Sequence, residues 1–270
     1  MSWCADIPGC VRSGRFTKGF AHMSDFNRGY ARTVETGSAD MSLDVGLRNF
    51  MLGVYNKVAL GLLLSAGLAF LTGSYPPIRD LMFTVANGRI GYSILGMVIA
   101  FAPQAVILFS SFVVKNATPR TAGITYWSIV SLIGASLGVV VLRYTDTSIA
   151  STFLLTATAF GGLSLVGYTT KRNLTGMGSF LIMGLWGLIG ASILNIFVNS
   201  GPLGMIINIV GVLIFAGLIA YDTQKLKRTY YDLGGDQVGM GVATNFGALN
   251  LYLDFINLFQ FLLSIFGNRR

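Results

Sequence analysis

The sequence predicts an all-α membrane protein with about seven transmembrane helices. Of its 270 residues 53% are hydrophobic and only 11% charged. A soluble domain carries about 25% charged residues, so this chain could not cover a water-facing surface of normal size. Mean hydropathy is +0.65, and apolar runs of about 18 residues or more recur, each long enough for a hydrocarbon core about 30 Å thick. The alternating pattern of a transmembrane β-barrel is absent from the sequence.

Taken from the N-terminus, residues 1–45 are polar and basic, with Arg12, Arg15, Lys18, Arg28 and Arg32. They lack the apolar core of a secretory signal. We expect a disordered basic cytoplasmic tail there and a membrane domain over 46–270. Met23 opens a plausible shorter version of the chain. The only cysteines, Cys4 and Cys10, and the single histidine, His22, lie in this tail and are too few for a disulfide or metal framework.

The apolar runs follow at about 50–72, 90–114, 122–142, 149–168, 177–198, 203–221 and 246–266. Short connections predict antiparallel neighbours. Pro76 and Pro77 mark the first break. Pro119 and Pro202 open the third and sixth helices, where a missing N–H costs little. Pro103, beside Gln104, falls inside the second helix and should kink it. Gly134 and Gly138 match the spacing that lets membrane helices approach closely, and Gly184, Gly187, Gly190, Gly211 and Gly217 add further small positions. The glycine-rich stretch 234–241 follows no strand and lacks the lysine of a phosphate cradle, so it reads as a flexible cytoplasmic turn.

The formal charge of +8 does not indicate a nucleic-acid partner, because the basic residues sit at the ends of apolar runs, where they set topology. An N-terminus in the cytoplasm gathers Lys115/Arg120, Lys171/Arg172 and Lys225/Lys227/Arg228 on the side of the tail. Arg79, Arg89 and Arg143 fall opposite, joined by Arg269 and Arg270 if the seventh helix spans fully.

Asp222 and Asp254, in the last two runs, are the chemically informative residues. A carboxylate at membrane depth costs roughly 2.5–3.5 kcal/mol at a helix centre on insertion scales, so such residues are usually functional. The stretch 221–230 contains no helix breaker, which carries the sixth helix past Asp222. Antiparallel packing then brings Asp222 and Asp254 to similar depth. Asn250, Asp254, Asn257 and Ser264 recur at helical spacing and form one polar stripe, which must face protein or water rather than lipid. Asn208, Gly211, Phe215, Leu218 and Asp222 share a comparable face. Two carboxyls within hydrogen-bond reach would hold one proton between them and titrate as a pair. Alternatively, Asp222 forms an ordinary helical ion pair with Lys225, and Asp254 is satisfied by Asn250 or a backbone group. Two carboxylates are too few for a calcium cage of about six to eight oxygens, so a Ca²⁺ ion at Asp222 and Asp254 would bind only weakly or transiently.

The stretches 220–227, Ala-Tyr-Asp-Thr-Gln-Lys-Leu-Lys, and 247–259, Gly-Ala-Leu-Asn-Leu-Tyr-Leu-Asp-Phe-Ile-Asn-Leu-Phe, resemble the Bax inhibitor-1 (transmembrane Bax-inhibitor-motif) family. Residues 167–174 and the ending 266–270 look like its bacterial branch. The resemblance runs from about Leu47 to the C-terminus. It implies a seven-helix bundle with the last helix central, in which the aspartates matching Asp222 and Asp254 form a hydrogen-bonded pH sensor for a calcium leak. Some bacterial members add an arginine latch in the second helix. Here run 90–114 has only Gln104 as a strong polar group, so the latch does not carry over.

We therefore expect a pH-sensitive calcium leak channel, not an enzyme, in a bacterial inner membrane. Asp222 and Asp254 would form its sensor, and Asn208, Asn250, Asn257 and Gln104 would line or support its pore. It would need no cofactor, and its partners would be lipid, Ca²⁺ and protons. The rival expectation is a non-conducting membrane regulator that binds a membrane protease, since bacterial relatives are linked to FtsH. An intramembrane hydrolase is disfavoured, because neither aspartate sits in the full motif of such proteases.

Overall fold

The computed structural model describes residues 45–86, 89–113 and 118–270; the expected tail lies outside them. Helix α1 (Val45–Ser74) is rich in Leu, Ala and Gly and stops before Tyr75-Pro76-Pro77. Those prolines cannot extend a helix from behind but suit the first turn of a new one, α2 (Pro76–Met82). A two-stranded antiparallel hairpin follows, β1 (Phe83–Ala86) and β2 (Arg89–Tyr92), with Phe83 opposite Tyr92 and Ala86 opposite Arg89. It is a small connection within an otherwise helical bundle, and it removes residues 90–93 from the second predicted run. The intervening Asn87-Gly88 is a hairpin signal readable in the sequence.

Helix α3 (Ile94–Val113) carries Pro103 in its interior. Oriented to donate, the Gln104 amide reaches the Ala100 and Phe101 carbonyls, both at 3.0 Å, beside the proline where the backbone ladder lacks a donor. The third span is two helices, α4 (Pro119–Ser136) and α5 (Gly138–Arg143), joined at Leu137. Thr118 and Thr121 form a capping box at its start. Then come α6 (Asp146–Thr169), capped by Thr145, and α7 (Thr175–Val198), ended by Asn199 in the left-handed conformation at φ 50°. The sixth span is α8 (Gly201–Asp232), capped by Ser200. Its extension past Tyr221 agrees with the unbroken run of helix formers.

The last helix, α9 (Gln237–Phe266), begins well before the predicted residue 246. Within the glycine-rich stretch 234–241 Gly234 and Gly235 alone have positive φ, and the Asp236 side chain accepts from Val238 N and Gly239 N at 3.1 Å each. The glycine-rich stretch is therefore a tight turn plus a capped helix start rather than a long turn. Asp236 supplies the cap that glycines alone do not signal.

Seven rods result: α1, α3, α4 with α5, α6, α7, α8 and α9. Among the described residues six spans are long and apolar enough to cross a bilayer, and α3 contributes a shorter apolar stretch, Ile94–Leu108. Helix α9 is the centre, packed on α8, α1, α4 and α6. Within its most apolar window 56% of residues are buried, against 11% for the peripheral α7. The seventh rod runs from the α8–α9 turn to the α5–α6 connection, where its end docks. Thr145 N donates to Asn268 O at 3.1 Å, Arg270 N donates to Arg143 O at 2.9 Å, and the Arg270 guanidinium meets Asp146 at 2.7 Å.

Lipid offers no hydrophobic drive between helices, so close contact and hydrogen bonds join them. Gly134 of α4 lies against the Ser65 backbone of α1, and Gly167 of α6 against the Ala220 backbone of α8. Ser65 Oγ meets Tyr252 OH at 2.6 Å, tying α1 to α9. By contrast, a Cβ at Gly187 or Gly190 would meet open space, so those glycines mediate no close packing among the described residues.

Candidate functional site

Helices α8 and α9 run antiparallel in a register set by small residues. Leu226 covers Gly247, Phe261 covers Gly211, and Asn208 Nδ2 donates to Ser264 Oγ at 2.9 Å. That register places Asp222 opposite the segment from Asn250 to Asp254. Asp254 is only 6% exposed and Asp222 is half-buried, and their carboxyls lie within hydrogen-bonding reach of each other. A carboxylate is acceptor-only, so two carboxyls can hydrogen-bond only when one carries a proton. Asp254 Oδ2 has no hydrogen-bond partner among the described residues.

The alternative ion pair is not formed. Lys225 is exposed, and the ion pairs among the described residues are Arg79–Asp80 and Arg270–Asp146. Nor does the Asn250 amide hydrogen-bond to Asp254 among those residues. Lys225 is nevertheless near enough to act electrostatically on the Asp222 carboxyl.

A cleft of about 670 Å³ opens beside the pair, bounded by α3, α7, α8 and α9, with Gln104, Asp222, Lys225, Asn250, Asp254 and Asn257 among its lining. A second cavity of about 200 Å³ continues toward the α8–α9 turn and shares Asp222, Lys225 and Asn250 with the first. Five of the six sequence-predicted residues thus meet at one place. Asn208 does not join them. It lies about four turns from Asp222 along α8, roughly 21 Å, and lines a separate polar cavity of about 410 Å³ with Asn195, Asn199, Ser264 and Arg269. Sharing a helical face did not imply sharing a depth.

The cleft offers two carboxyls and neutral amides. Among the described residues no cluster of three or more His, Cys, Asp or Glu forms, and two carboxyls are fewer oxygens than a tight calcium cage uses. One polar group escaped the sequence reading. Lys57, the lone charge in the first apolar run, donates from Nζ to Asn245 Oδ1 at 2.5 Å, and Asn245 donates to Pro119 O at 3.2 Å and Gly241 O at 2.9 Å. A solitary lysine in an apolar run was the available signal.

The family model for the inhibitor of apoptosis-promoting Bax1 matches residues 47–270. An uncharacterised protein of Caulobacter vibrioides is 64% identical over 249 residues, covering 92% of this chain and 100% of that protein. An uncharacterised protein of Rickettsia prowazekii is 45% identical over 89% of this chain and 98% of its own length. The inner membrane protein YbhL of Escherichia coli is 39% identical over 83% of this chain and 94% of its own. With its seven-rod bundle, central last helix and family match over the whole described domain, this chain is a multi-pass membrane protein that belongs to the Bax1-inhibitor family.

Proposed function

We propose that this protein is a pH-sensitive leak pathway for Ca²⁺ in a bacterial inner membrane, with a cytoplasmic N-terminus and no catalytic step. The membrane assignment draws on the name of the Escherichia coli relative, and the orientation on the distribution of basic residues. The observation that carries the functional reading is the meeting of the Asp222 and Asp254 carboxyls beside a cleft within the span.

In acid the shared proton joins α8 to α9. As pH rises the proton leaves and two carboxylates face each other. At about 4 Å and an effective dielectric near 20, like charges repel by roughly 4 kcal/mol. That is enough to bias a helix pair with two packings, or to draw in a cation. The ion would be passed between Asp222, Asp254, Asn250 and Asn257, without being held. Flux therefore rises as the pair loses its proton and falls when it is restored.

Calcium release from liposomes, followed across a pH series, tests this. The Asp222→Asn/Asp254→Asn protein should lose the pH response. An unchanged flux and pH profile would sink the mechanism. Wild-type protein that passes no Ca²⁺ at any pH would favour the regulator reading, for which a mild-detergent pull-down of a membrane protease such as FtsH, with and without residues 1–45, is the check.

A further inference from the structure

We infer that Phe261 is an aromatic plug, separating the carboxylate cleft from a polar vestibule at the far end of the α8–α9 seam. The inference deepens the proposed leak pathway by naming where that path is closed, and it rests on that reading for its role in flux.

Three cavities lie in line along α8 and α9. The first two adjoin and share Asp222, Lys225 and Asn250 in their linings. On α8 and α9 the lining of the cleft stops at Phe215 and Phe261 and that of the vestibule begins at Asn208 and Ser264, while on α7 the cleft continues to the apolar Ile193 and Ile196. Between them the two rings stack with centroids 5.8 Å apart and planes 29° from parallel. The Phe261 ring lies on Gly211, where a Cβ would come within 2.8 Å of ring carbons, so the glycine makes room for the plug. The Asn208–Ser264 hydrogen bond, 2.9 Å, closes the polar side one turn further on.

A hydrated cation passing along the α8–α9 seam from the cleft to the vestibule would have to enter a contact of two phenyl rings, which offers no oxygen, and the α7 side of the cleft offers only isoleucines there. Apolar constrictions of this kind block ions by excluding water. The charge pair then sets the helix packing, and the ring pair holds the seal.

Thiol labelling tests the plug without any calcium measurement. In a background with Cys4→Ser and Cys10→Ser, single cysteines are placed by Ser264→Cys in the vestibule and by Asn257→Cys in the cleft. A charged methanethiosulfonate reagent is added to each face of reconstituted vesicles in turn. From the face bearing Arg269, Ser264→Cys should label quickly and Asn257→Cys should resist. Adding Phe261→Ala should raise Asn257→Cys labelling from that face several-fold, Phe261→Leu less, and Phe261→Trp not at all. If Asn257→Cys labels freely with Phe261 intact, or stays protected in both Phe261→Ala and Phe261→Leu, Phe261 is not the plug. Failure of Ser264→Cys to label would equally overturn it. None of these outcomes depends on whether the aspartates sense pH, which the flux assay decides separately.

Discussion

An ammonium inside an apolar helix needs an acceptor that lipid cannot provide. Lys57 finds one in Asn245, a buried amide whose own N–H groups are spent on Pro119 O and Gly241 O. The amide thus couples α1, α4 and α9 through one side chain. Asn245→Ala should destabilise the protein by about 1–3 kcal/mol, because it strands a charged donor. The double variant Lys57→Met/Asn245→Leu should cost less than the sum of the single changes. Thermal unfolding in detergent reads both, and strict additivity would contradict the coupling. The Ser65–Tyr252 contact is milder. Ser65 Oγ also donates to Val130 O at 3.1 Å, so Tyr252→Phe leaves it satisfied and should cost about 0.5–1.5 kcal/mol.

Between helices, the spacing is decided by where a Cβ is impossible. A Cβ at Gly134 would fall 2.6 Å from Ser65 Cα, and one at Gly167 would collide with the Ala220 carbonyl. Both obstacles are backbone, which cannot rotate away. Gly134→Ala or Gly167→Ala should therefore cost about 1–3 kcal/mol by forcing whole helices apart. Gly161 and Gly162, on the same α6, have open space at the Cβ position. Alanine there should be neutral or stabilising by up to about 1 kcal/mol, from helix propensity alone. Equal effects at Gly167 and Gly161 in a melting series would refute the close-approach argument. The same logic explains why the glycine spacing in the sequence was informative at Gly134 and uninformative at Gly187.

For the molecule as a whole, α9 acts as a post fixed at both ends. At its start the Asp236 cap and Asn245 hold it to the turn and to α1 and α4. At its finish Asn268 and Arg270 backbone groups pair with Thr145 and Arg143. The Arg270–Asp146 ion pair is exposed, with side chains 47% and 80% accessible, so Asp146→Asn should shift stability by less than about 1 kcal/mol. Removing residues 267–270 takes away the backbone pairing as well. It should lower the melting temperature measurably more than Asp146→Asn and raise hydrogen exchange in the last turns of α9.

Composition and the recurrence of apolar runs settled the class, the span number and the two aspartates worth following, because insertion into hydrocarbon is a local property of each segment. Pro76 likewise marked a break, and Pro119 and Pro202 helix starts, for a backbone reason that needs no neighbour. The hairpin and the early start of α9 were missed although Asn87-Gly88 and Asp236 signalled them, since short polar cues are easily outweighed by long apolar ones. What only the folded bundle decided was depth and partnership. Asn208 shares a face with Asp222 yet lies roughly 21 Å away along its helix. Lys225, three positions after Asp222, forms no ion pair with it, while Asp254, from the neighbouring helix, meets it. Helical periodicity gives an angle around one axis; the register between two axes comes from which glycines admit which side chains, and that is a property of the pair.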